Sequence, residues 1–140
     1  MTEIKRAVLN RHPYGHKEST YFGAARSDLI DRLTPDPNRT ILEIGCGAGA
    51  TGAYARQQGK CGTYVGVEIC SSPAVIAEMR LDRVYTANIE NFDLPEPRES
   101  FDTLIAGEVL EHLVDPWATL RRLRAYLLVN RHGIRTPFSG

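Results

Sequence analysis

Thr40-Ile41-Leu42-Glu43-Ile44-Gly45-Cys46-Gly47-Ala48-Gly49-Ala50-Thr51-Gly52 is the stretch on which the reading of this chain turns. An apolar run, broken only by Glu43, opens straight into glycines at 45, 47, 49 and 52. The pattern predicts a buried strand, a tight turn and then a helix. A backbone that turns sharply and lets a ligand come close needs positions without a Cβ. The start of the helix offers free N–H groups and the positive end of its dipole. The stretch is therefore built to hold a nucleotide-like cofactor.

Two cofactors compete. Gly47-Ala48-Gly49-Ala50-Thr51-Gly52 matches G-x-G-x-x-G, and Glu68 follows about 20 residues on, where a dinucleotide fold places its ribose-binding acid. Three features lead away from NAD. Glu43 puts an acid near the mouth of the strand, where a pyrophosphate is repelled and a cationic ligand is welcome. Gly45 precedes the supposed first glycine, so the pattern is E-x-G-x-G-x-G. About forty residues precede the strand, whereas a dinucleotide fold often starts near its first strand.

E-x-G-x-G-x-G after an aliphatic run resembles the first motif of the class I S-adenosylmethionine-dependent methyltransferases. The run from Phe101-Asp102-Thr103-Leu104-Ile105 through Val109-Leu110-Glu111-His112-Leu113-Val114-Asp115-Pro116 resembles that family's F-D-x-aliphatic and V-L-E-H-L-x-D-P segment. Ala87-Asn88-Ile89-Glu90, followed by Phe92-Asp93-Leu94-Pro95, is similar to its G-D-aliphatic-E-x-aromatic-D-L-P loop. The resemblance spans roughly residues 21–127, with three motifs in the family's order. It implies an α/β fold: a Rossmann-like parallel sheet with helices on both faces, its last strands missing or divergent. It implies S-adenosyl-L-methionine as cofactor, with S-adenosyl-L-homocysteine as product. The sulfonium also accounts for the acidic strand end.

The same resemblance assigns site roles. The backbone at Gly45, Cys46, Gly47 and Gly49 cradles the methionine part of the cofactor, and Glu43 orients cofactor-bound groups near that turn. Glu68 takes the ribose hydroxyls, since a carboxylate accepts two hydrogen bonds side by side; Ile69 adjoins it. Asn88 stands where the family has Asp beside the adenine, and its amide can still accept from the exocyclic amine. Ile89 packs on the adenine ring. Gly107, at the end of the fourth strand, offers a backbone carbonyl to the cofactor's amine. Tyr21 and Arg26 resemble residues that cap the cofactor. His112, beside Glu111, is a candidate general base, because a histidine suits that role near neutral pH; a structural residue opening the loop after strand four is the open alternative.

Composition narrows the class. The chain has 140 residues, enough for one domain or part of one, and 42% of them are hydrophobic. Basic and acidic residues balance at 17 each, which gives no electrostatic case for nucleic acid. No apolar run reaches the about 18 residues of a membrane span, and no hydrophobic signal core follows Met1. Cys46, Cys61 and Cys70 lack C-x-x-C spacing, so reduced thiols in a cytoplasmic protein are expected, not a metal site. His12 and His16 are four apart, but Pro13 disfavours a helix through the pair.

Periodicity places the elements. Residues 1–20 are polar and expected to be mobile. Phe22, Ala25, Leu29 and Leu33 predict a helix over 21–33. Strands are expected at 41–44, 63–69, 83–86 and 102–106, with helices at 50–57 and from Ser72-Pro73 to about Met79. Asp115-Pro116 repeats the cap-and-proline device, and Trp117, Leu120, Leu123 and Leu127 mark the buried face of a last helix. Residues 21–140 thus form the cofactor-binding domain, incomplete after about 127. From Leu128 on, only Gly133 matches the family's L-x-P-G-G ending, so strand four is expected to have an open edge. A truncation, an altered reading frame or a half-sheet completed by a second copy each explains this. The acceptor expected from the whole is a small molecule or sugar-type metabolite, methylated at oxygen or nitrogen by a homodimer. A non-catalytic cofactor-binding remnant and an NAD-dependent oxidoreductase are the alternatives.

Overall fold

The structure is a computed structural model that describes residues 24–128. Tyr21, the segment 1–20, both N-terminal histidines and the tail from 129 lie outside the described residues. The elements run α1 (Ser27–Ile30), β1 (Thr40–Ile44), α2 (Ala50–Gln57), β2 (Thr63–Glu68), α3 (Ser71–Glu78), β3 (Arg83–Thr86), β4 (Thr103–Ile105) and α4 (Pro116–Leu123). Short 3-10 turns occupy Ile89–Asn91, Leu110–His112 and Arg124–Tyr126. The strands form one sheet in the order β3-β2-β1-β4, with every pair parallel. This is the expected Rossmann-like α/β arrangement.

Alternation along the strands builds two apolar layers, because successive side chains point to opposite faces. Leu42, Ile44, Val65, Val67 and Leu104 share one core with Ile89, Leu94, Phe101, Leu123 and Leu127. Ile41, Tyr64 and Ile105 share the other with Ile30, Cys46, Ala55, Ala77 and Leu81. Helices cover both faces, as a parallel sheet requires. At the start of the central strands, Thr40 N–H donates to the Asp102 carboxylate (3.1 Å) while Asp102 N–H donates to the Thr40 hydroxyl (3.0 Å). Phe101 is buried, so the Phe-Asp pair of the sequence pattern is a fastener between β1 and β4.

Five expectations change. The helix predicted over 21–33 is only Ser27–Ile30 among the described residues, because the chain then tightens into Arg32-to-Leu29 and Leu33-to-Ile30 turns. Cys70, not Ser72, is the N-cap of α3, and Pro73 still sits in the first turn, where its missing N–H costs nothing. Trp117 is 70% exposed rather than buried. The buried face of α4 is Thr119 and Leu123. Leu127 is buried, but beyond the helix: it forms a parallel bridge with Phe101. Phe101 N–H donates to the Tyr126 carbonyl (2.9 Å) and Leu128 N–H to the Phe101 carbonyl (2.8 Å). A fifth line of chain therefore begins beside β4, at the edge expected to be open. The Asp115 cap is as expected: its carboxylate accepts from Ala118 N–H at 3.0 Å, ahead of Pro116.

Candidate active site

The turn after β1 is held by its neighbours. The N–H groups of Gly45 and Cys46 both donate to the Val67 carbonyl, at 2.7 and 3.1 Å. Gly45, Gly47 and Gly49 all have positive φ, at 75°, 56° and 86°. At two of them packing also excludes a side chain. A Cβ on Gly45 would lie 2.9 Å from Val109 Cβ, and one on Gly49 3.2 Å from Ala77 Cα. A Cβ on Gly47 would meet nothing within 4 Å. The backbone at Gly47 is thus bare and accessible, which is what close approach of a ligand requires. Cys46 contributes backbone to this turn while its thiol packs inward, filling the hollow left by Gly66; burial pushes that thiol well above its ordinary pKa.

Glu68 ends β2 beside the turn. Its two carboxylate oxygens accept one N–H each, from Gly47 (2.8 Å) and from Cys70 (2.9 Å). Two backbone donors fix the carboxylate and leave lone pairs for hydroxyl donors. Ile69, the next residue, is 63% exposed, a large apolar side chain at the rim. Asn88 caps the turn after β3: its side-chain carbonyl accepts from Glu90 N–H at 3.0 Å. That bond takes one lone pair of the oxygen expected to accept from an adenine amine and leaves the other. Ile89 departs from expectation more clearly. It is buried in the core with Val67, Leu94 and Leu123, so its side chain supports the loop from beneath and Ile69 is the apolar group presented outward.

Glu43 is the site's most unusual group. It is 4% exposed. On the β1–β2 pair Ile41 faces Tyr64 and Glu43 faces Gly66, which sets Tyr64 diagonally across from Glu43 on one face. Tyr64 donates its hydroxyl to Glu43 Oε1 at 2.7 Å. Burial raises the Glu43 pKa from 4.5 to about 7, with the Tyr64 bond opposing, Glu68 adding and Arg26 opposing. Tyr64 was not anticipated; its position two residues before Gly66 on β2 is the only sequence signal.

Arg26 and Gly107 meet across the mouth. A Cβ on Gly107 would lie 3.0 Å from Arg26 Nη1, and the guanidinium pairs with Asp28 (2.9 Å) and approaches Glu108 (3.7 Å). Arg26 N–H donates to the buried Thr51 hydroxyl at 3.0 Å, anchoring α1 to α2. His112 lies on the 3-10 turn after β4, exposed, with Glu111 4.0 Å from its Nε2. Among the described residues no other side chain orients its ring. The turn, Glu68, Glu43, Arg26 and Gly107 therefore converge, while the Ile89 side chain lies in the core and His112 stands exposed on the turn after β4.

A parallel sheet in this order, with a glycine turn after the first strand and an acid ending the second, defines a nucleotide-cofactor fold of the methyltransferase type. The "Methyltransferase domain" family model matches residues 42–130, more than half of the chain. The chain belongs to the class I S-adenosylmethionine-dependent methyltransferases, whose cofactor is S-adenosylmethionine. A ubiquinone biosynthesis O-methyltransferase of Azorhizobium caulinodans is 35% identical over 92% of this chain and 46% of its own. A trans-aconitate 2-methyltransferase of Escherichia coli is 29% identical over 81% and 46%. The solved YcgJ protein of Bacillus subtilis shares the fold, with a TM-score of 0.61 at 24% identity over 74% and 45%. The chain spans 36–55% of the length of such curated relatives.

Proposed function

We propose that this chain binds S-adenosylmethionine across the ends of β1, β2 and β4, and that the protein transfers its methyl group to oxygen or nitrogen of a small-molecule or sugar-type metabolite. The observation that carries the reading is the pairing of bare backbone at Gly47 with the Glu68 carboxylate, 2.8 Å from its N–H. A ligand with a diol beside Glu68 and a methionine chain over Gly47 satisfies both. Ile69 offers an apolar shelf for the base. Glu43, Arg26 and Gly107 surround the far end, where the amino-acid part of the cofactor lies in this reading; the capping role of Tyr21, outside the described residues, rests on the family resemblance alone.

When bound, S-adenosylmethionine would supply a methyl group for in-line attack by an acceptor lone pair and would leave as S-adenosylhomocysteine, the carbon–sulfur electron pair staying on sulfur. The sulfonium already activates the carbon, so alignment and exclusion of water supply most of the acceleration. An oxygen acceptor must also lose a proton, and His112 is the candidate to take it, with Glu111 beside it.

A binding-only remnant is the second reading, favoured by the exposure of His112, the candidate base. A buried acid at the end of β1 suits a cationic cofactor and disfavours NAD. We further propose a cytoplasmic protein that pairs with a second copy along the β4 side. Among the described residues no helix is long and apolar enough to cross a membrane. Calorimetric titration with S-adenosylhomocysteine and NAD tests the cofactor. Tighter binding of NAD overturns the reading. Methyl release over a metabolite panel separates enzyme from remnant, and sedimentation at micromolar concentration tests the pairing.

A further inference from the structure

Glu90 has no role in the reading so far, yet it ties together two loops of the site that no strand pairing joins. It sits in the loop after β3, on the 3-10 turn with Ile89 and next but one to Asn88. Its Oε2 accepts two backbone N–H groups, from Val114 (2.8 Å) and Asp115 (3.0 Å). Those groups belong to the loop after β4, the loop that carries Gly107, Glu108 and His112. β3 and β4 are the two outer strands of the sheet, separated by β2 and β1, so no ladder joins them. A second bond closes the same gap: Arg122 on α4 donates through Nη2 to the Ile89 carbonyl at 2.6 Å. A third contact returns to the glycine turn, since Val109 packs against Gly45 so closely that a Cβ there would lie 2.9 Å away.

The clamp is chemically specific. One carboxylate oxygen taking two N–H donors makes charge-assisted bonds, about twice as strong as neutral ones. The donors stand at the N-terminal end of α4, where a negative charge is further favoured by the helix dipole. Val109, Leu110 and Leu113 pack the first part of this loop on the core, whereas its last residues stand in solvent. Val114 is 93% exposed and Trp117 70% exposed, and His112 is exposed too.

We propose that Glu90 is a positioning residue: it couples the base-side loop at Asn88 and Ile89 to the loop bearing His112, so that cofactor binding orders the acceptor side of the site. The proposal rests on the cofactor reading above. A cofactor that rests against residues 88–90 fixes Glu90, and Glu90 then holds Val114 and Asp115. Arg122 adds a parallel path from the same loop to the body of α4.

Residue-resolved amide hydrogen exchange, with and without saturating S-adenosylhomocysteine, tests it. In the wild-type protein the ligand should slow exchange at Val114 and Asp115 at least about threefold, although neither carries the ligand. Glu90→Ala should speed exchange of these two amides about tenfold or more without ligand, and abolish the further slowing with it. Glu90→Gln keeps an acceptor oxygen and should retain much of both effects, and it serves as the folded variant if Glu90→Ala is unstable. Exchange at Leu42 and Val65 in the sheet centre reports whether each variant is folded. Ligand-induced slowing that persists in folded Glu90→Ala overturns the proposal. So does a wild type that binds the ligand without slowing these amides. A wild type that fails to bind S-adenosylhomocysteine overturns the functional reading and this one with it.

Discussion

Replacing Glu43 by Gln tests whether a carboxyl is stored in the interior of this site. Glu43 is 4% exposed and accepts from Tyr64 at 2.7 Å. Its pKa is raised from 4.5 to about 7, chiefly by burial. The folded state therefore holds this proton more tightly than the unfolded chain. The stability tied to it is fully present below about pH 4.5 and is lost as the pH climbs through 7. The gap between the two values corresponds to about 3 kcal/mol, of which about 2–3 kcal/mol falls between pH 5 and 8. Gln keeps an oxygen for the Tyr64 hydroxyl and cannot ionise. Its extra N–H donors add a cost of about 1–2 kcal/mol that does not vary with pH. Urea unfolding of both proteins at pH 5, 6, 7 and 8 reads the effect. The difference in stability between variant and wild type should move by about 2–3 kcal/mol in favour of Glu43→Gln from pH 5 to 8. Profiles that stay parallel would show that Glu43 is ionised in the folded protein throughout, and the reasoning from burial would fail.

Other outcomes follow from the same geometry. Glu68→Ala should weaken S-adenosylhomocysteine binding by about 1.5–3 kcal/mol, the range for hydrogen bonds to a charged group; unchanged affinity in titration calorimetry would remove Glu68 from the cofactor site. Gly47→Ala, with nothing within 4 Å of its new methyl, should cost only the about 1–2 kcal/mol of a left-handed alanine yet weaken ligand binding at least tenfold. Gly49→Ala meets Ala77 at 3.2 Å as well, and should lower the thermal midpoint more than Gly47→Ala does. Leu127→Ala removes a buried side chain from the start of the fifth line of chain and should cost about 2–5 kcal/mol; a loss below 1 kcal/mol in denaturant would mean the bridge to Phe101 does not hold the α4 end.

Sequence alone was enough for the strands and for the glycine turn. The segments at 83–86 and 50–57 were legible to the residue, because aliphatic runs and strand-end glycines act locally. The turn's positive φ values follow from glycine placement in the same local way. Glu68 ends β2 beside the turn, as its spacing predicted, because one strand length separates it from the turn. The errors share a cause. Apolar spacing marked Trp117 and Leu127 as one helical face, yet helix termination at Leu123 sends Leu127 to pair with Phe101, and Trp117, in the first turn of α4, faces away from the Thr119 and Leu123 side. Ile89 was expected to pack on an adenine ring and its side chain lies in the core, because whether an apolar residue faces a ligand or a core depends on what lies beneath the loop. The Tyr64–Glu43 bond and the Glu90 clamp join residues 21 and 24–25 positions apart. Strand register decides the first and the meeting of two outer-strand loops decides the second. Periodicity carries neither, because each exists only once the sheet order β3-β2-β1-β4 brings those backbones together.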